Sequence, residues 1–316
     1  MTKLVRLFIV LCAFRLHADV KTLEIEAGEV TWTRESLPET VLVYQKTGMD
    51  INPFFNSLQV NQKNRWVPGM MGRAALLVTD HYGIEGRFLG LFEWKKERSA
   101  FVDEMGTTFS INISDQSPIA FENGTQVLES YKMKYDSADL LFLWNWSPFF
   151  QKFFGVRGSI GPSYVYVQDS LVQNLVSAVD YKSYSISCKN NFVGGRVYGE
   201  IMGFPAPFIW GARGSFGVYG DVYRQNTDIA QTIPLIETYA YPISTSWCST
   251  LLSGDFYLGL SIYDLVRLRA GFSGQILNYL GSATAQVGRS FDKNGVYKGN
   301  HFTFYGVFAS IEVDLF

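Results

Sequence analysis

The segment 265–278 reads LVRLRAGFSGQILN, and its side chains sort by twos. Val266, Leu268, Ala270, Phe272 and Ile276 fall on one side of an extended chain, and Arg267, Arg269, Gly271, Ser273 and Gln275 on the other. Successive residues of a β-strand point to opposite faces, so this is a strand with one apolar and one polar surface. The preceding segment repeats the pattern, with Leu252, Phe256, Leu258, Leu260 and Ile262 against Ser253, Asp255, Tyr257, Gly259 and Ser261. So does the one before it, with Trp210, Ala212, Phe216, Val218 and Val222 against Arg213, Ser215, Gly217, Tyr219 and Asp221. Farther upstream Phe154, Val156, Ile160, Tyr164 and Tyr166 oppose Gly155, Arg157, Ser159, Gly161 and Ser163. In 84–94, Ile84, Phe88, Phe92 and Trp94 oppose Glu85, Arg87 and Glu93, with Leu89 and Leu91 blurring the polar face. The pattern weakens toward the N-terminus.

Many of these segments exceed ten residues, which suits a tilted strand crossing a bilayer better than the five or six residues usual in soluble sheets. A secreted β-sandwich shares the alternation, and the period alone does not say which face is inside. The connections separate the two readings. They are short at 80–82, 147–151, 203–208 and 263–264, and long at 95–124, 168–187, 224–248 and 281–301, in strict alternation. Membrane barrels have this asymmetry, with tight periplasmic turns and long outer loops. Nine segments are recognisable: 69–79, 83–94, 127–146, 152–167, 189–202, 209–223, 250–262, 265–279 and 302–316. Closure with both termini inside needs an even count. The segment 40–46 (TVLVYQK) is therefore taken as a first, upward strand, with 19–38 as a periplasmic arm or interior plug. The expected fold is an all-β, closed antiparallel transmembrane barrel over 39–316, with about 10 strands (8–12).

Composition supports this by exclusion. The 316 residues include 25 Phe, 18 Tyr, 7 Trp and 29 Gly, with a formal net charge of −2. That aromatic content and charge balance exclude a disordered chain. The longest apolar run, 7–14, is far short of the roughly 18 residues of a membrane helix. With 27 basic and 29 acidic residues there is no electrostatic footprint for nucleic acid. Residues 1–18 read as a secretory signal peptide, with Lys3 and Arg6 before the apolar run and Ala18 before Asp19, although Arg15 and Leu16 depart from the usual pattern. Cys12 raises a lipoprotein alternative, against which Leu11 stands where a small residue should precede a lipidated Cys. Aromatics bunch at the short turns: Trp144, Trp146, Phe149, Phe150, Phe153 and Phe154 at one, Phe204, Phe208 and Trp210 at another, and Tyr263 at a third. They are expected to form an inner girdle at the lipid headgroups, with core packing as the alternative for any single ring.

YKMKYDSADLLFLWNW (131–146) running into FFGVRGSIGPSYVYV (153–167), CKNNFVGGRVYGEI (188–201), YDLVRLRAGFSGQIL (263–277) and the terminal FYGVFASIEVDLF (304–316) resemble, in this order, the BBP-seven-type outer-membrane proteins and the related pore-forming outer-membrane family named for Legionella. The resemblance covers most of 69–316. It implies a barrel in the outer membrane of a bacterial cell, acting as a porin-like, pore-forming transport protein, and it brings no catalytic residues. One departure is the terminus: Val307, Ala309, Ile311, Val313 and Leu315 form the apolar face, so Phe316 falls on the side of Glu312 and Asp314.

Chemistry is sparse. His17, His81 and His301 are not spaced to share a metal, and no Ser or Cys has a His near it in sequence. An outer-membrane lipase arrangement would have to join His81 or His301 to a residue such as Ser261 or Ser310. No enzyme activity, metal or cofactor is expected. The charged face says more. Arg73, Arg87, Arg157, Arg196, Arg213, Arg267 and Arg269 lie on or near the strands, with Glu85, Asp139, Glu200, Asp221, Asp255, Glu312 and Asp314 as partners. On the lipid side at mid-membrane each Arg would cost about 2–4 kcal/mol, so the charges are expected in the lumen. Arg87, Arg157, Arg213, Asp221, Asp255, Arg267 and Arg269 are the candidate pore lining. They either bound a narrow passive pore with some anion preference or, as ion pairs, fill a closed, non-conducting barrel whose long outer loops meet partners. Cys188 and Cys248 are candidates for a disulfide between outer loops. The expected partners are outer-membrane lipid, small solutes or ions if the barrel conducts, and another copy of the chain; no nucleic acid is expected.

Overall fold

The computed structural model describes residues 22–35, 41–47, 50–56, 66–102, 107–111, 119–121, 125–146, 154–177, 180–203, 207–231, 237–262, 265–287, 296–297 and 300–315. Ten strands close into a barrel, every neighbouring pair antiparallel. In order round the wall they are β1 (Thr22–Arg34), β14 (Asn300–Leu315), β13 (Val266–Leu280), β12 (Glu237–Ile262), β11 (Phe208–Gln231), β10 (Tyr181–Gly203), β9 (Phe154–Val176), β8 (Thr125–Trp146), β5 (Tyr82–Val102) and β4 (Val67–Leu77), which returns to β1. A separate antiparallel sheet has the order β3 (Asp50–Asn56), β2 (Val41–Thr47), β6 (Thr107–Ile111) and β7 (Ile119–Phe121). Residues 1–21, the signal peptide reading among them, and Phe316 lie outside the described residues.

The count of ten agrees with the sequence, but one strand is exchanged. Thr22–Arg34, read above as arm or plug, is β1, paired with β14 along Leu23↔Leu315 to Arg34↔Phe304 and with β4 along Thr22↔Leu77 to Trp32↔Val67. The segment 40–46 instead contributes to β2 of the separate sheet. The reason is local: Leu23, Ile25 and Ala27 face outward while Glu24, Glu26, Val30 and Trp32 face the lumen and are buried, so this segment supplies the carboxylates that closure needs. Its outward face also carries Glu29, and that carboxylate weakens the alternation.

The register sets the tilt. Neighbours traced from Trp210 run through Leu258, Ala270, Ala309, Glu29, Met70 and Gly90 to Asp136, Tyr166, Asn191 and back to β11 at Val222. The offset of about 12 residues over ten strands tilts them by about 40°, at a rise of about 3.3 Å and a spacing of about 4.8 Å. With that tilt the 24 residues of β11 stand about 60 Å tall and the 11 of β4 about 28 Å. A hydrocarbon layer is roughly 25–30 Å thick, so the β8–β12 side rises far above it while β4 barely clears it.

The extra height corrects the loop reading. The connections 168–187 and 224–248 are not long loops, because β9 continues to Val176, β10 starts at Tyr181, β11 reaches Gln231 and β12 starts at Glu237. Above the bilayer the solvent lies outside, so polarity reverses on the same strand: on β9, Val167, Leu171 and Leu175 point inward, whereas Arg157, Ser159 and Ser163 do so lower down.

The exterior of the lower barrel is the expected apolar band, with Phe142, Ile160, Val197, Phe216, Leu252, Phe256, Phe272 and Ile311 all exposed. Trp146, Phe208, Trp210 and Tyr82 mark its inner rim. Two indoles there lie flat because the strand beside them offers glycine. A Cβ on Gly158 would meet Trp144 at 2.3 Å, and one on Gly203 would meet Trp210 at 2.2 Å. Phe149, Phe150, Phe153, Phe204 and Tyr263 fall outside the described residues. On β5 a bulge adds one residue between Leu89 and Phe92, with Leu91 at φ 65° and its N–H donating to Asp136 Oδ1 at 2.7 Å. It shifts the phase, so Phe88 faces outward while Phe92 and Trp94 face the core. One charge breaks the rule for the band: Glu29 is exposed between Met70 and Ala309, near mid-membrane.

Candidate functional site in the barrel lumen

Every barrel strand sends a polar side chain into the lower lumen, where they meet as a lattice. Arg73 on β4 is its centre, with Glu312 at 2.7 Å, Glu24 at 2.9 Å, Glu85 at 3.0 Å and Glu26 at 3.3 Å. Arg157 on β9 holds both oxygens of Glu24 at 2.8 Å, the two-pronged geometry that a guanidinium favours, and its Nε donates to Asn145 at 2.9 Å. Arg213 on β11 donates to Glu200 on β10 at 2.9 Å and lies 3.5 Å from Glu26. On β13, Arg269 donates to Glu312 at 2.8 Å and Arg267 to Asp314 at 2.6 Å, while Arg267 also pairs with Glu312. Arg87 pairs with Glu85 and lies 4.0 Å over the Tyr198 ring, and Arg196 sits 3.6 Å from Asp139, whose Oδ2 accepts from Tyr198 at 2.5 Å.

A second storey, built from rings, lies above. Trp32 stacks between Phe92 at 4.7 Å and Phe304 at 5.5 Å, with Tyr135 at 5.8 Å. Tyr219 and Phe192 meet edge to face across the lumen wall, and Tyr219 shares a hydrogen bond of 2.8 Å with Ser163. Higher still the lining is mixed: Val127, Leu171, Leu175, Ile186 and Leu277 are buried together with Tyr131 and Tyr184 and the polar Glu129, Asp169, Gln173 and Asn190. The segment after β13 folds into the lumen here. Its short helix α1 (Ala283–Gln286) is anchored by Ala283 N–H donating to Asp169 Oδ2 at 2.9 Å, and Asn190 exchanges hydrogen bonds with Gly281 at 2.9 and 3.1 Å. Burial pushes the Asp169 carboxyl up to about 7, against this hydrogen bond and the nearby Arg34 charge. Burial likewise raises Glu129, whose Oε1 accepts from Gln173 at 2.6 Å, to about 7. Between lattice and rings lies a cavity of about 70 Å3, bordered by Arg73, Asp139, Arg196, Asp255, Trp32 and Phe308. At 10–15 Å3 each it has room for roughly five waters.

The sequence-predicted lining divides accordingly. Arg87, Arg157, Arg213, Arg267 and Arg269 are all in the lattice, and Asp255 borders the cavity directly across the ladder from Arg213. Asp221 is buried higher up, opposite Phe192 and Trp247 in the ladder, and is not brought to the others. Glu24 and Glu26 were missed because their segment was assigned to an arm. The alternation of Leu23, Ile25 and Ala27 around them was the available signal.

The disulfide expectation is corrected: Cys188 and Cys248 are both free. Cys188 is buried in the lumen, where it shares a 3.0 Å hydrogen bond with Tyr223, whereas Cys248 is exposed on the exterior, so the wall itself separates them. Burial holds the Cys188 thiol well above its ordinary range. His81 sits in an exposed turn against Tyr82, and Ser310 is buried, donating to Glu26 at 2.8 Å. Among the described residues no hydrogen bond joins His81 or His301 to Ser261 or Ser310, and no group of three His, Cys, Asp or Glu could hold a metal ion.

No protein-family model matches the chain, and no curated protein does. Among solved structures, the outer membrane protease OmpT from Escherichia coli is similar over 93% of this chain and 97% of its own, at TM-score 0.48 and 9% identity. A Pseudomonas aeruginosa FadL homologue aligns over 93% and 89% at TM-score 0.25 and 6% identity, and the P. putida toluene transporter TodX over 93% and 90% at TM-score 0.20 and 6% identity. The closed ladder of the chain itself carries the fold assignment.

Proposed function

We propose that the chain is a sealed barrel of the bacterial outer membrane, a rigid wall that presents its outer segments to partners at the cell surface. The observation that carries this reading is the neutralised lumen. Each of the seven lattice arginines has a carboxylate oxygen within 3.6 Å, and rings and aliphatic side chains are packed above them. Barrels of about 8 strands fill with side chains, and open aqueous channels are found at about 16. Ten strands sit near the filled end. A narrow anion-preferring pore, which the family resemblance implies, would need guanidinium groups facing continuous water.

Planar-bilayer recording tests the reading. Protein first shown to be folded by heat-modifiable gel migration is expected to give no steady conductance steps even at high load. Steady single-channel steps that scale with protein would overturn it.

A further inference from the structure

We infer that the exterior of β10 and β11 binds the phosphate of an anionic membrane lipid between Lys189 and Arg224. The two residues face each other directly across the ladder, and both are exposed on the outer surface, since their neighbours Cys188, Asn190, Tyr223 and Gln225 are buried within. Like charges directly opposite in a sheet repel, with side chains only about 5 Å apart at their bases. Other exterior bases among the described residues are answered: Glu93 holds Lys132 at 2.7 Å and Lys134 at 3.7 Å, Glu97 holds Lys95 at 2.8 Å, and Asp180 holds Lys182 at 3.1 Å. Lys189 and Arg224 have no carboxylate within 4 Å among the described residues. Their row continues into Gln168 and Ser244, with Ser187 and Asn226 above and Asn191 and Val222 below, so no acid flanks them. The nearest outward acid on β11 is Asp228, which is engaged by Asn226 at 2.8 Å.

Height decides which anion fits. Directly below the pair the exterior is the lipid-facing band, with Val193, Val197, Val218 and Val222 exposed. Tyr164 and Tyr166 stand at its upper edge, their hydroxyls donating to Asn191 at 2.9 Å and Gln168 at 2.7 Å, as rings at a membrane interface do. The two cations therefore lie at headgroup level. A guanidinium forks onto two phosphate oxygens and an ammonium adds a point charge, while the acyl chains of the same lipid cover the valines below. That continuity with the apolar band selects a lipid phosphate over a free one.

The test uses spin-labelled phosphatidic acid and spin-labelled phosphatidylcholine at the barrel surface in phosphatidylcholine bilayers. Wild type is expected to prefer phosphatidic acid by about 25-fold, since each of the two bases near a membrane surface adds roughly a factor of five. The double variant Lys189→Gln, Arg224→Gln should lose most of that preference, and Lys95→Gln should keep it. Both side chains are exposed, and heat-modifiable migration confirms that each variant is folded, with Lys189→Arg as a charge-preserving control that retains the preference. Equal association of both lipids with wild type, a preference that survives the double substitution, or one abolished by inorganic phosphate at matched ionic strength would each overturn the assignment.

Discussion

The lower and upper storeys of the lumen are built on the same strands and the same inward face, yet they solve burial in opposite ways. On β9 the inward positions are Arg157, Ser159 and Ser163 below, and above them Val165, Val167, Leu171 and Leu175 with the buried polar residues Asp169 and Gln173 between. Below, lipid takes the apolar side chains, and the enclosed space is left to charges that must neutralise one another. Above, water surrounds the wall, and the enclosed space is filled mainly by apolar side chains, with a few polar groups such as Asp169, Glu129 and Asn190 held among them by hydrogen bonds. The environment outside the wall thus dictates what fills it, and the two fillings should fail differently when disturbed.

The largest effect is expected at the lattice centre. Arg73→Ala leaves Glu24, Glu26, Glu85 and Glu312 without their shared cation, and should lower the urea-unfolding stability of the reconstituted barrel by about 3–5 kcal/mol. If the arginines faced open water instead, the loss would shrink to the 0–1 kcal/mol or so of an exposed pair. In the upper storey Leu171→Ala deletes buried methyl groups and should cost about 2–3 kcal/mol in the same assay, independent of salt. A smaller, graded effect is expected from pH. Asp169 and Glu129 have folded pKa values raised to about 7, above the unfolded carboxylate range, so the folded state binds more protons. Stability of the upper storey should therefore be highest below about pH 4 in this respect and fall as pH rises toward and through 7. Hydrogen exchange at Ala283, whose N–H rests on Asp169, reads this, and Asp169→Asn should flatten the Asp169 share of the dependence.

On the outer surface the sign reverses. Glu29→Leu removes a carboxylate from the lipid face and should stabilise the reconstituted barrel, by less than the roughly 2–4 kcal/mol that a basic residue costs there. Unchanged or reduced stability would mean that the carboxylate is shielded from lipid. Smallest of all, Glu93→Gln breaks only exposed pairs with Lys132 and Lys134 and should change stability by under about 1 kcal/mol.

The lower storey was largely legible in the sequence because lipid enforces a strict alternation: Arg213, Arg267 and Arg269 could be assigned to the lumen from their apolar neighbours alone. The upper storey was not, because the phase of apolar residues inverts above the membrane, so 168–187 and 224–248 read as loops although they are mostly ladder. Phe92 and Trp94 were placed on the wrong face by a single bulged residue, which a period-two count does not reveal. Glu24 and Glu26 were hidden for another reason: the alternation of Leu23, Ile25 and Ala27 is short and is broken by the outward Glu29, and the pairing with β14 and β4 is what identifies the strand as wall.

The neutralised, filled lumen is tested most directly by chemical access to its centre. Ser215 is buried beside Arg196 and Ser253 at the level of the lattice. In a background with Cys188→Ser and Cys248→Ser, a cysteine introduced by Ser215→Cys should stay unmodified by a charged, water-soluble thiosulfonate applied from either side of the membrane, and should react once the barrel is unfolded in urea. Rapid modification in the folded barrel would contradict the account and establish a continuous aqueous path through the wall of ion pairs.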